Sequence, residues 1–70
     1  MRVDTHKMRW EIVHQYGTQE AFSKAVGIDP MTISRMCTGK SCLYTTIRKC
    51  CDKLGCRPDD MIVDWGINAD

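Results

Sequence analysis

The residues most able to do chemistry in this chain are five cysteines, whose thiols could ligate a metal, form disulfides or react with oxidants. They are Cys37, Cys42, Cys50, Cys51 and Cys56. No two are separated by the two residues typical of a zinc-binding pair, and adjacent residues 50 and 51 cannot both face one ion from a regular helix. An odd number also fits a disulfide framework poorly. Because a free cysteine packs as a small hydrophobic residue, we expect these thiols mainly in the core, with metal binding and redox sensing as alternatives.

Cys37 is the thiol that we expect to be most exposed, since it ends a predicted helix, and a redox switch would be located there. The two histidines, His6 and His14, have no acid or thiol partner one helical turn away, so we interpret them as surface residues. Asp59 and Asp60 suit the first turn of a helix, where carboxylates stabilise the N-terminus. No nucleophile elbow, phosphate loop or paired carboxylates occur in the sequence. We therefore expect no enzyme, no metal, no cofactor and no small-molecule substrate.

The chain has 70 residues, which suit one domain spanning residues 1–70 with one small core. Its hydrophobic content of 43% and charged content of 27% are typical of an ordered domain. No apolar run approaches the roughly 20 residues that cross a bilayer, and the first residues do not resemble a signal peptide. We therefore expect a cytoplasmic protein without membrane contact.

The net charge of +1 conceals an uneven distribution. Residues 31–57 contain six Lys or Arg against a single acidic residue, whereas residues 58–70 contain four Asp and no basic residue. A basic middle segment could present one positive face to phosphates. The alternative is an ordinary solvated surface with accidental clustering of charge. We call the six cations the basic block; they are Arg35, Lys40, Arg48, Lys49, Lys53 and Arg57.

Glycines and prolines divide the chain into five short segments of helical size, and none shows sustained alternation of apolar and polar residues, so strands are not expected. The predicted helices are residues 5–16, 19–26, 30–37, 46–54 and a short one starting at residue 58, with fraying at 67–70. The predicted N-caps are Asp4 or Thr5, Thr18, Asp29 and Thr45. The predicted inward residues include Met8, Ile12, Val13, Tyr16, Ala21, Phe22, Ala25, Val26, Ile33, Met36, Ile47, Leu54, Met61, Ile62 and Trp65.

The second and third predicted helices, with the turn between them, have the composition of a helix-turn-helix over about residues 18–38. The turn must be tight, and Gly27 can adopt the positive φ that a side chain resists. Ser23 lies where the two helices should cross, and only a small residue fits there. The second helix of such a unit can lie in the major groove of DNA.

These segments resemble the Cro/phage-repressor-like (xenobiotic response element) helix-turn-helix family. The resemblance is carried by residues 19–28 (QEAFSKAVGI), 32–36 (TISRM), 39–40 (GK), 45–56 (TTIRKCCDKLGC) and 57–62 (RPDDMI). It covers roughly residues 8–65. It implies an all-α, compact five-helix bundle of the lambda-repressor-like type that binds operator DNA, often as a homodimer.

The resemblance also implies roles for individual positions. The residues facing the bases would be Met31, Thr32, Ser34 and Arg35. The residues contacting phosphates would be Thr18, Gln19, Lys40, Ser41 and Tyr44.

The recognition helix departs from the family pattern where many members have a Gln in its first turn, because this chain has Pro30. Proline cannot make the bidentate amide contact that recognises adenine, and Met31 can only touch a thymine methyl. Base recognition then depends on Arg35, which suits the O6/N7 edge of guanine. A phosphate contact and a merely solvated arginine are the alternatives for this residue.

The leading functional hypothesis is a sequence-specific transcription regulator, a repressor of phage, mobile-element or bacterial origin. Two alternatives are a protein-interaction module of antitoxin or adaptor type, favoured by the modest net charge and Pro30, and a thiol-sensing regulator. Trp65 could fold back on the core or form a homodimer contact, since aromatic residues are enriched at interfaces.

Overall fold

The computed structural model describes residues 1–66 as five helices and a two-stranded sheet. The helices are α1 (Thr5–Tyr16), α2 (Gln19–Val26), α3 (Pro30–Cys37), α4 (Tyr44–Leu54) and α5 (Pro58–Met61); the strands are β1 (Arg2–Val3) and β2 (Ile62–Asp64). The predicted five-helix architecture is therefore confirmed, with a small sheet added. The fraying expected at residues 67–70 lies outside the described residues. None of the described helices is both long and apolar enough to cross a lipid bilayer.

The expectation of no strands was wrong, because β1 and β2 pair as an antiparallel ribbon. Val3 lies opposite Ile62 and Arg2 opposite Asp64, with an irregularity between the two pairs. The guanidinium of Arg2 donates to the Asp64 carboxylate at 2.8 Å. Together with a hydrogen bond from the Gly66 N–H, this contact holds the pKa of Asp64 below its usual range.

The last helix is shorter than expected, and Ile62 and Trp65 lie beyond its end. Its final carbonyl, that of Met61, accepts the Asp4 N–H at 2.7 Å, and the next residues pair with β1. The ribbon thus satisfies backbone groups that another helical turn would have used. Ile62 is still buried, as expected, but it reaches the core from a strand.

The starts of the helices follow the expected capping chemistry in two cases. The Asp4 carboxylate accepts the Lys7 N–H, and the Thr18 hydroxyl accepts the Ala21 N–H at 3.0 Å. The prediction that Thr45 caps the fourth helix was wrong, since α4 starts at Tyr44, directly after Leu43. No side chain caps that helix, because Leu43 has no acceptor to offer.

The core lies between α1, α2, α3 and α4 and is closed by α5 and the ribbon. Three expected core residues were wrong: Val13 is 59% exposed, and Ala21 and Ala25 are also exposed. Each lies beside a helical stripe whose centre is occupied by a larger side chain, such as Ile12 or Phe22. The buried hydrophobic residues are Val3, Met8, Ile12, Phe22, Ile33, Met36, Cys37, Ile47, Cys50, Cys51, Leu54, Met61 and Ile62.

Candidate nucleic-acid interface

The turn between α2 and α3 is a left-handed glycine cap. Gly27 has φ 76° and ψ 29°, and its N–H and that of Ile28 both donate to the Ser23 carbonyl, at 2.9 and 3.1 Å. This arrangement satisfies carbonyl groups that a helix end leaves open. Only residues 27–29 separate the two helices, and α3 packs against α2.

Ser23 lies in the packed region of this unit, as expected from its small size. Its side chain is buried, and its hydroxyl donates to the Glu20 carbonyl at 2.8 Å. Among the described residues, Ser23 is the only buried polar one, and its hydroxyl finds a hydrogen-bond partner within its own helix. A larger side chain here would separate α2 from its neighbours, since cores tolerate added volume poorly.

One side of α3 is buried and the other is free. Ile33, Met36 and Cys37 are fully buried, whereas Met31 is 69% exposed. Ser34 and Arg35 are also exposed, and with Met31 they form one stripe at spacings of three and four residues. We call Met31, Ser34 and Arg35 the outer stripe of α3. Thr32, also predicted to face the bases, is half-buried at its flank.

The C-terminal end of α3 is tied down by several hydrogen bonds. The Arg35 carbonyl accepts from the Thr38 N–H, from the Thr38 hydroxyl at 2.9 Å and from the Lys40 N–H at 3.0 Å. The Arg9 guanidinium, from α1, donates to the Cys37 carbonyl at 2.9 Å. The backbone carrying the Arg35 side chain is therefore fixed, while the side chain itself extends from the exposed face.

The basic block is free of acidic partners in the described part of the chain. All six of its side chains are exposed, and the single ion pair among residues 1–66 joins Arg2 and Asp64. A cation without an intramolecular carboxylate has no such contact to lose when it binds a phosphate. The excess positive charge of residues 31–57 therefore lies on side chains that solvent can reach, in a chain whose net charge is only +1.

A family model for the Cro/C1-type HTH DNA-binding domain matches residues 12–64. The chain belongs to this family. No curated protein and no solved structure gives a significant match. The Cro/C1-type domain is a DNA-binding module, and the matched residues include the whole of α2 and α3. The resemblance inferred from the sequence is thus confirmed.

Within this Cro/C1-type domain, the predicted phosphate-contacting residues lie at helix starts and in the loop after α3. Thr18 caps α2 and is exposed, so its hydroxyl proton is still able to donate, while Gln19 is half-buried in the first turn. Lys40 and Ser41 line a shallow groove with Arg2. The Ser41 hydroxyl accepts a hydrogen bond from the Met1 ammonium at 2.9 Å.

Tyr44 begins α4, and its ring stacks on Trp65 with the ring centroids 6.2 Å apart. Trp65 is half-buried and packs against the edge of the core. The stacking therefore orders both aromatic rings at the surface beside the loop that carries Lys40. Leu43, which precedes Tyr44, and Val63, two residues before Trp65, are largely exposed, at 73% and 65%.

The expectation that Cys37 is the most exposed thiol was wrong, because it is fully buried. The sequence placed it correctly at the end of α3, but the helix turns this position toward α1. Burial raises the pKa of the Cys37 thiol, and the nearby Arg9 guanidinium offsets only part of that effect. A buried, protonated thiol is a poor nucleophile, so a redox switch at Cys37 is disfavoured. The two partly exposed thiols are Cys42 and Cys56.

Sequence reasoning missed Arg9, whose side chain supports the end of α3 from a position 28 residues earlier. Nothing local in the sequence distinguishes it from an ordinary surface arginine. Its role is visible only in the structure, where α1 packs against α3.

Proposed function

We propose that the protein is a sequence-specific regulator of transcription, a repressor of phage, mobile-element or bacterial origin, that inserts α3 into the major groove of operator DNA. The observation that supports this most is the outer stripe of α3, whose side chains are exposed while the helix is anchored on its inner side and at its C-terminal end. Such a helix can present side chains to base edges without itself rearranging. Because operator DNA of a phage or bacterium lies in the cytoplasm, the proposed role includes a cytoplasmic location.

Arg35 is the proposed base-reading residue. Its guanidinium has five donors in a planar fork, which matches the two acceptors of guanine in the major groove. Its carbonyl is held by three hydrogen bonds, so the start of the side chain is fixed in place. Ser34 can hydrogen-bond to bases of either kind, and Met31 and the Thr32 methyl suit a thymine methyl group.

The proposed phosphate contacts are polar residues on both sides of this helix. Thr18 and Gln19 are positioned by the start of α2, and Lys40 and Ser41 by the loop after α3. Tyr44 offers a phenolic hydroxyl at the start of α4. Contacts of this kind set register and affinity without carrying sequence information.

The salt dependence of DNA binding tests this role of the loop residues. Fluorescence anisotropy with a labelled duplex from the gene's own flanking DNA should give affinities that decrease steeply with salt concentration. Lys40→Ala should reduce the slope of log affinity against log salt by about one. Lys7→Ala removes the same charge on α1, beside α5, and should leave the slope unchanged. Absence of binding at low salt would favour the protein-interaction module instead, and equal slopes for both variants would refute the contact at Lys40.

We further propose that the protein binds DNA as a homodimer, with recognition helices about 34 Å apart on one face of the duplex. The Tyr44–Trp65 stack and the exposed Val63 support an interface at this end of the domain. Light scattering of the saturated DNA complex should give two chains per operator. Trp65→Ala should shift the complex to one chain, whereas Trp10→Ala, which removes an exposed tryptophan from α1, should not. A single-chain complex of the wild type would contradict the dimer.

A further inference from the structure

The first helix meets the end of α3 with two residues that lie one helical turn apart. The Arg9 Nε–H donates to the Cys37 carbonyl at 2.9 Å. The methyl group of Thr5 lies 3.6 Å from the position that a Cβ on Gly39 would occupy. Residues four apart share one side of a helix. This side of α1 therefore lies against the segment that ends α3 and leads into Lys40.

The contact with Cys37 uses only part of the Arg9 guanidinium. A guanidinium has five N–H donors, one on Nε and four on the two terminal nitrogens, Nη1 and Nη2. Within residues 1–66, the terminal nitrogens of Arg9 make no hydrogen bond, and its charge makes no ion pair. Arg9 is also exposed. Four donors and a positive charge are thus open to an acceptor from outside the chain.

The hydrogen bond to Cys37 holds this donor group at the end of α3. The acceptor is a backbone carbonyl in the last turn of that helix, where a cation is favourable because the open carbonyls carry partial negative charge. A side chain that is already held at Nε loses less conformational freedom when its terminal nitrogens bind a second partner. Arg9 is in this sense prepared for binding.

The neighbourhood of this group indicates what the second partner is. Lys40 is exposed and follows Cys37 by three residues, and with Ser41 it is proposed above to contact DNA phosphates. Arg9 brings a further cation, from outside the basic block, to the start of the same loop. The planar guanidinium matches the oxygens of a phosphate group, to which it can donate two parallel hydrogen bonds.

We propose that the terminal nitrogens of Arg9 donate to a phosphate of the bound duplex, beside the contacts of Lys40 and Ser41, while the Nε–H stays on the Cys37 carbonyl. This contact rests on the DNA binding proposed above and adds a residue of α1 to it. Arg9 thereby connects α1, the C-terminal end of α3 and the DNA backbone. It contributes affinity for every sequence and does not itself select a base.

The salt dependence of binding to a labelled duplex from the gene's flanking DNA, measured by fluorescence anisotropy, tests this contact. Arg9→Gln removes the charge and should reduce the slope of log affinity against log salt by about one. Arg9→Lys keeps the charge and should keep the wild-type slope, although the loss of the Nε–H weakens binding. Lys7→Gln is the matched control, because it removes a charge from the same helix on the side that lies beside α5, and it should leave the slope unchanged.

A role of Arg9 in holding α3 alone would weaken binding by both Arg9 variants without changing either slope, and that result would overturn the proposal. An equal loss of slope in Arg9→Gln and in either Arg9→Lys or Lys7→Gln would also overturn it, since the loss would not follow the charge at this position. If the wild type does not bind DNA at low salt, the proposed function fails as well. If Lys40→Ala reduces the slope and Arg9→Gln does not, only the contact at Arg9 fails.

Neutralising single phosphates of the duplex gives a second measurement, in which each protein is compared with itself on two duplexes, so that a folding defect of the variant cancels. A methylphosphonate, which has no charge, replaces one phosphate at a time. One such replacement should weaken wild-type binding about tenfold, because it removes a hydrogen bond between charged groups, and should leave the affinity of Arg9→Gln unchanged. Lys7→Gln should respond as the wild type does. Equal sensitivity of Arg9→Gln and the wild type at every phosphate would refute the contact.

Discussion

The turn between α2 and α3 allows a quantitative prediction for the substitution Gly27→Ala. A Cβ added at this position would meet no heavy atom within 4 Å, so the substitution introduces no steric clash. The cost is then confined to the backbone, because φ is 76°. A non-glycine residue in the left-handed region costs about 1–2 kcal/mol. The stiffer unfolded chain of the alanine variant offsets part of this cost.

The expected net loss is about 1 kcal/mol of unfolding free energy, which lowers the Tm of a domain this small by about 4–8 °C. Urea unfolding followed by circular dichroism measures the free energy directly. Gly55→Ala is a matched control, since Gly55 has φ 80° and an equally open environment at the end of α4. Gly27→Asn should lose less than Gly27→Ala, because asparagine tolerates this conformation better.

The two alanine variants should be destabilised by similar amounts. An unchanged stability of Gly27→Ala would refute the left-handed turn. If Gly27→Ala lost more than about 3 kcal/mol while Gly55→Ala lost about 1 kcal/mol, the space around Gly27 would be too tight for a Cβ, in contradiction to the structure.

Two further predictions concern a helix cap and the buried thiols. Thr18→Ala should lower the unfolding free energy by about 1 kcal/mol in urea titrations, since it removes the acceptor of a capping hydrogen bond. Asp29→Ala should lower it by less, because the Asp29 side chain makes no capping hydrogen bond. Equal losses for the two variants would contradict the assignment of Thr18 as the cap of α2. Alkylation of the native protein, followed by mass spectrometry, should modify Cys42 before Cys37. The rate should rise with pH across the neutral range, because the pKa of each thiol is raised and the thiolate is the reactive form. Earlier modification of Cys37 would contradict its burial.

Four helices were predictable from local sequence chemistry because their ends are encoded in one or two residues each. Gly27 and Gly55 end helices where a positive φ is needed, and Thr18 caps the one that it precedes. Hydrophobic spacing then assigned most of the core. It failed for Val13, since periodicity indicates a face but not which of two adjacent positions lies at its centre.

The ribbon, the support of α3 and the burial of Cys37 were not predictable, because each depends on contacts between residues far apart in sequence. Strands of two and three residues are too short to show alternation, and β1 pairs with β2 some 60 residues away. Arg9 reaches Cys37 across 28 residues. For the candidate site, the resemblance identified which residues of α3 to consider, and the structure added that Thr32 is half-buried beside the exposed outer stripe.

Selection of bound duplexes from a random DNA library, followed by sequencing, tests the central claim most directly. We expect the wild type to enrich a defined motif, and Arg35→Ala to lose preference at one guanine, since a good bidentate contact discriminates by about 1–3 kcal/mol. Arg57→Ala removes an arginine at the start of α5 and should enrich the wild-type motif. Failure of the wild type to enrich any motif would contradict sequence-specific recognition, and an unchanged motif for Arg35→Ala would exclude this arginine as the base-reading residue.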